Sequence, residues 1–243
     1  EAAGEIAMGF FKQEPEVTLK ADNSPVSAAD LAVNTMLSAE LGANRPAYGW
    51  LSEETPDTEA RLGAERTFVV DPIDGTRAFL AGQSAWGVAL AVVEAGDVIA
   101  AAFRMPAQGK TYIAHRGGGA SLNGVPLHAS GRADIEGADI LANKGALRPD
   151  QWAHPLPRVT QHFRPSLAYR LCLVAEGRFD AALTFRDAWE WDIAAGDLIC
   201  REAGAEVSTK AGERPRYNSP TALQPGLIAA GPTLHAALRR HLA

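Results

Sequence analysis

Two periodicities divide this chain. Up to residue 41 the apolar positions fall at helical spacing, and the chain reads as two helices separated by the polar stretch KQEPEVTLKADNSPVSAAD. Asp30 stands before LAVNTMLSAEL, whose Leu31, Met36, Leu37 and Leu41 share roughly one face, and SPVSAAD reads as the loop feeding that helix. From Thr67 the pattern is that of strands: TFVV, a hairpin WGVALAVVEAGDVIAAAF turning at Ala95-Gly96-Asp97, and TYIAH before the glycine-rich RGGGASLNG. Adjacent strands of this kind predict an antiparallel or mixed sheet. Beyond the proline-rich ALRPDQWAHPLPR come SLAYRLCLVAEG, FDAALT, WDIAAGDLICREAGA, GLIAAG and TLHAALRRHL, a helix and strand alternation that marks an α/β half. The expected organisation is an N-terminal α+β half, residues 1–150, and a C-terminal α/β half, residues 151–243, with a soft boundary near 145 to 155 and no flexible linker.

Composition narrows the classes. With 243 residues, 47% apolar and 21% charged, the chain can bury a sizeable core, which excludes disordered and collagen-like classes. The net charge of -6 argues against a nucleic-acid polymer or an anionic membrane as partner, since such surfaces cluster Lys and Arg. Cys172 and Cys200 both lie in apolar helical patterns, so buried thiols and a cytoplasmic location are expected rather than a disulfide framework. No apolar run approaches the roughly 20 residues of a spanning helix.

The chemistry concentrates in VVDPIDGTRAF, residues 69–79, where two acids flank a proline at the end of a hydrophobic strand. The proline keeps the chain from continuing as a simple strand, so Asp71 and Asp74 can converge just beyond its edge. Convergent carboxylates repel unless they are protonated or splayed, or hold a cation, and hard ions such as Mg²⁺ take oxygen ligands. Gly75 and Thr76 then open the helical TRAFLAG, whose leading N–H groups suit a phosphate. Glu53 and Glu54 in LSEET and Asp192 in WEWD can join this site. Taken singly, a Glu-Glu pair is usually a solvated helix start and a Trp-Asp pair is usually core plus N-cap.

Together SPVSAAD, LSEE, DPIDGT and WDIAAG resemble, in order and approximate spacing, the inositol monophosphatase superfamily of Mg²⁺-dependent, lithium-sensitive phosphomonoesterases. The likeness runs from about Lys20 to Ala205, and NSPTALQPGLIAAGP is similar to the family's tail. The resemblance implies an α+β fold, a layered αβαβα sandwich with an antiparallel-rich sheet in its N-terminal half and metals in the cleft between the halves. It also implies that Glu53, Asp71, Asp74, Asp192 and the Ile73 carbonyl bind two or three Mg²⁺, and that the Gly75 and Thr76 amides hold phosphate. Thr76, paired with Asp30, and Glu53 would orient and deprotonate the attacking water, so no nucleophilic Ser or Cys is required. Homodimers are common in the family, and a homodimer is one expectation here.

The substrate is read from less regular segments. Inositol-specific members carry an acid about seven positions before the WD aspartate, where this chain has Phe185 and Arg186. An arginine suits a second anion and an aromatic ring suits a base. Phe185, Arg186 and Trp189 are thus the expected specificity residues. A 3'(2'),5'-bisphosphate nucleotide is the first expected substrate, with inositol 1-phosphate and histidinol phosphate as alternatives; a noncatalytic metal or phosphate sensor is the reading from another class. Lys20 is expected to balance the acids, Trp86 and Trp191 to pack in the core, the histidines to be structural or on the surface, and RGGGASLNG to form a hairpin loop rather than a phosphate loop.

Overall fold

The computed structural model describes residues 1–13, 15–20 and 24–242. Among the described residues six α-helices, α1 (Ala2–Phe10), α2 (Ala28–Asn44), α3 (Thr76–Leu80), α4 (Leu167–Ala175), α5 (Glu190–Glu202) and α6 (Pro232–Leu242), are layered with two large sheets. The first sheet has seven strands in the order Gly49–Ser52, Arg66–Asp74, Gly87–Glu94, Asp97–Met105, Lys110–His115, Ala120–Leu122 and Val125–Pro126. Only its first pair is parallel. The second has five strands, Thr160–His162, Asp139–Ala142, Ala181–Thr184, Leu227–Ala230 and Glu206–Ser208, of which the first three run parallel.

Side-chain alternation builds the layers. Ala182, Leu227 and Ala229 of the second sheet pack inward with α4, α5 and the first sheet, while Ala181, Leu183, Ile228 and Ala230 pack outward with Leu234 and Leu238 of α6. On the other side of the first sheet, Ile73 and Val88 pack with Ala3 and Ala7 of α1 and Ala29 and Val33 of α2. The result is the αβαβα sandwich. Its middle helices approach closely, because a Cβ on Gly196 of α5 would stand 2.7 Å from the Leu171 side chain of α4.

Three local expectations are corrected. Pro25–Ser27 is a short strand paired with Val17–Leu19 rather than a loop, and it ends in the N-cap Ser27 of α2. Leu31 is 49% exposed, because the buried stripe of α2 runs through Ala29, Val33, Met36 and Leu37. The Arg66–Asp74 strand carries on through Pro72 to both aspartates. The Ala95-Gly96 turn and the 116–119 loop fall where expected. In that loop the Gly117 and Gly119 amides both donate to the Glu202 carboxylate at 2.9 Å, so an anion of the chain itself occupies it.

Candidate metal centre and substrate cleft

A bulge answers why two acids three residues apart can meet. In the register with the neighbouring strand Asp71 opposes Ala89 and Asp74 opposes Gly87, so three steps on one strand match two on the other. In a regular strand residues i and i+3 point to opposite faces; the extra residue brings both carboxylates onto one cleft. Glu53 enters from the adjacent parallel strand, where its amide donates to the Val70 carbonyl at 3.3 Å. Asp192 arrives from the first turn of α5. One oxygen each of Glu53, Asp71 and Asp192 lie within 4.8 Å of one another, the one potential metal-ligating group among the described residues.

The chain leaves these acids largely unanswered. Asp71 receives the Ile73 amide at 3.0 Å and otherwise faces carboxylates. Burial, reinforced by Glu53, Asp74 and Asp192, holds it well above the usual range. Asp192 is raised in the same way, by burial and then by Asp74 and Glu53. Lys20 does approach, its Nζ 2.8 Å from both Glu53 Oε1 and Glu54 Oε1. Burial pushes Glu54 up to about 7 against that ammonium.

Asp74 is set apart from the other three. Its Oδ2 accepts from Ser166 Oγ at 2.5 Å and the Ala168 amide at 2.8 Å, and its Oδ1 from the Leu167 amide at 3.2 Å. Its carboxylate therefore also holds the N-terminus of α4 against the first sheet, where the helix dipole favours an anion. Burial nonetheless lifts it to about 6, against those hydrogen bonds.

The remaining expected residues follow the same bend. Asp30 sits inside α2 in a capping box: its Oδ2 accepts from the Ser27 amide at 2.8 Å and Ser27 Oγ at 2.6 Å. This leaves Oδ1 3.3 Å from Thr76 Oγ1, which is also 3.1 Å from the Ile73 carbonyl. The single hydroxyl proton serves one of the two, and the oxygen's lone pairs stay available to the cleft. Gly75 precedes the five-residue α3 at φ 97°, and a Cβ there would meet the Ala85 carbonyl at 3.0 Å. Gly75 and Thr76 line the cleft, a cavity of about 630 Å³.

Of the three specificity residues, only Arg186 lines that cleft. Phe185 packs against Trp152 with ring centroids 5.3 Å apart and lines a recess of about 180 Å³, which shares Asn143 and Arg186 with the cleft. Trp189, 41% exposed, stacks on Trp191 at 4.8 Å and 10° and is outside the cleft lining. The cleft wall adds residues that sequence reasoning missed: Arg77, Asn143, Phe163 and the buried Arg170. The available signal for Arg170 was one arginine inside the otherwise apolar LAYRLCLVA helix. Trp86, Cys172 and Cys200 are core, as expected. No helix among the described residues is long and apolar enough to cross a membrane.

A layered sandwich that brings acidic side chains and the start of a short helix to one cleft defines a class, the phosphoric monoester hydrolases of this fold. Residues 1–243 match the inositol monophosphatase family, and the chain belongs to it. Inositol-1-monophosphatase of Rhizobium meliloti is 35% identical over 84% of this chain and 79% of its own. Histidinol-phosphatase of Chlorobaculum parvum is 30% identical over 84% and 80%. A Streptomyces griseus protein named glucose-1-phosphate thymidylyltransferase is 36% identical over 85% and 81%. Among solved structures, the Thermotoga maritima inositol monophosphatase TM1415 superposes with a TM-score of 0.84 at 26% identity, covering 98% of this chain and 91% of that one.

Proposed function

We propose that this phosphatase hydrolyses a small phosphate monoester with Mg²⁺ as its cofactor, two or three ions held by Glu53, Asp71, Asp192, the Ile73 carbonyl and Asp74. The donor set fits: the oxygens that gather within 4.8 Å are all carboxylate, the hard ligands such an ion takes. A cation there supplies charge neutralisation and Lewis acidity. Gly75 and Thr76 offer backbone N–H groups to the phosphate. Thr76 Oγ1, backed by Asp30, and Glu53 orient the water and accept its proton; a new P–O bond forms as the ester oxygen leaves and takes up a proton. The observation that carries this reading is the mutual approach of Glu53, Asp71 and Asp192 beside Gly75 and Thr76.

For the ester, the first reading is a 3'(2'),5'-bisphosphate nucleotide, supported by Arg186 on the cleft wall and by a side recess bordered by Phe185. A second reading, inositol 1-phosphate or histidinol phosphate, is favoured by the relatives that bear those activities in their names. Phosphate release in Mg²⁺ from 3'-phosphoadenosine 5'-phosphate, inositol 1-phosphate and histidinol phosphate, each with and without lithium, decides between them. A dominant bisphosphate rate is expected, and a dominant inositol or histidinol phosphate rate overturns the first reading while keeping the metal chemistry.

A further inference from the structure

The cleft, about 630 Å³, is far larger than one phosphate, and part of its wall beside the acids is basic. Arg170, in the first turns of α4, is 5% exposed and lines the cleft together with Phe163, Pro165 and Arg186. Its Nε donates to the Arg164 carbonyl at 2.6 Å, and its guanidinium carbon stands 4.5 Å from the Phe163 ring centroid. These two contacts fix the plane of the fork. Among the described residues neither terminal nitrogen of Arg170 meets an acceptor, and Arg186 has no hydrogen bond or ion pair.

Two arginines on one wall repel each other, and burial makes that worse; Arg170 is pushed down to about 10, by burial first and by Arg186 in addition, against the pull of Asp74 and Asp192. A guanidinium kept only as a counter-ion would be expected to close on its acid. Here it spends one donor on a backbone carbonyl and its face on a ring, and Asp74 is already supplied by Ser166, Leu167 and Ala168. A rigid planar fork with free donors at a cleft wall is the geometry that takes a second phosphate or carboxylate.

We propose that Arg170, seated on Phe163 and assisted by Arg186, binds a second anionic group on the leaving alcohol of the substrate. The inference rests on the reading of this cleft as the hydrolytic site and adds the residue that recognises a phosphate on the leaving group, Arg170. Phe163, 53% exposed, is a positioning residue that holds the fork in its plane.

The test compares matched pairs in the Mg²⁺-loaded protein: adenosine 3'-phosphate with adenosine 3',5'-bisphosphate, and inositol 1-phosphate with inositol 1,4-bisphosphate. The readout is the ratio of kcat/KM, bisphosphate over monophosphate, within each pair. Wild type should favour the bisphosphate of one pair by about 10- to 100-fold, and Arg170→Ala should bring that ratio close to one, mainly through KM. Arg170→Lys should give an intermediate ratio, since it keeps the charge and loses the fork. Phe163→Ala should lower the ratio partway, and its surface position keeps the test usable if Arg170→Ala does not fold. A ratio unmoved by these variants, or no preference in wild type, overturns the proposal. An Arg170-dependent ratio in the inositol pair alone supports the subsite and removes the nucleotide; nucleotide turnover with an unmoved ratio does the reverse.

Discussion

The cleft floor and the latch behind it both bury carboxylates, and one helix supplies both. On α5, Glu190 is wholly buried and accepts from the Asn218 amide at 2.6 Å, the Ser219 amide at 3.0 Å and Gln224 Nε2 at 3.4 Å. Asp197, about two helical turns further on, pairs with Arg201 at 2.9 and 3.1 Å. Arg61 completes the latch, binding Asp57 at 2.7 Å through two nitrogens and reaching Asn218 Oδ1 and the Ser219 carbonyl. Asp192, between the two answered acids, gathers with Glu53 and Asp71 and is raised by burial first and then by Asp74 and Glu53. Acids that hold the fold are met by donors of the chain. On the cleft side Asp74 has donors of the chain and Glu53 has Lys20, whereas Asp71 has the Ile73 amide alone, and the proposed cation would answer what these donors do not.

The sharpest break in that comparison is Asp71→Asn. It should lower turnover on the order of 10²- to 10³-fold, measured as phosphate release, because a ligand is lost. It should also raise the unfolding temperature of metal-free protein at pH 8, since an isosteric amide removes a like charge. Glu190→Gln should do the opposite: cost about 1–3 kcal/mol in urea unfolding and leave kcat per folded molecule within a few-fold.

Asp71, Asp74 and Asp192 also set a pH dependence. Their folded values lie above the unfolded ones, so the folded state binds protons more tightly, and this contribution to stability is present at low pH and lost as pH rises from about 4 through the folded values, about 6 for Asp74. Mg²⁺ should therefore raise the unfolding temperature more at pH 8 than at pH 5; equal shifts would uncouple the ion from these acids. The smallest effect belongs to Lys20→Ala. Removing an ammonium 2.8 Å from Glu53 and Glu54 should tighten Mg²⁺ binding by about two- to five-fold, read by titration calorimetry.

The motif acids were legible because chemistry and local backbone coincide: Asp71 and Asp74 share one bulged strand end, and Asp192 opens a helix. The layers were legible from period changes at Thr67 and after residue 160. The strands Asp139–Ala142 and Thr160–His162 were not, since three or four residues, one set as polar as Thr-Gln-His, show no period. Nor was the latch, whose partners lie 28 to 34 residues from Glu190. Phe185 illustrates the same limit from the other side: its type suits a base, but the chain leaving the Ala181–Thr184 strand sets it against Trp152. Arg170 was hidden because a helical pattern records which face is apolar and not which cavity that face borders.

The most direct test titrates chelator-treated protein with Mg²⁺ at pH 8, following phosphate release and unfolding temperature side by side in wild type and Asp71→Asn. Wild type should gain both together, with one midpoint, and Asp71→Asn should gain neither. Turnover by wild type in chelator, or the same thermal gain in Asp71→Asn, would contradict the assignment of these acids to a cation.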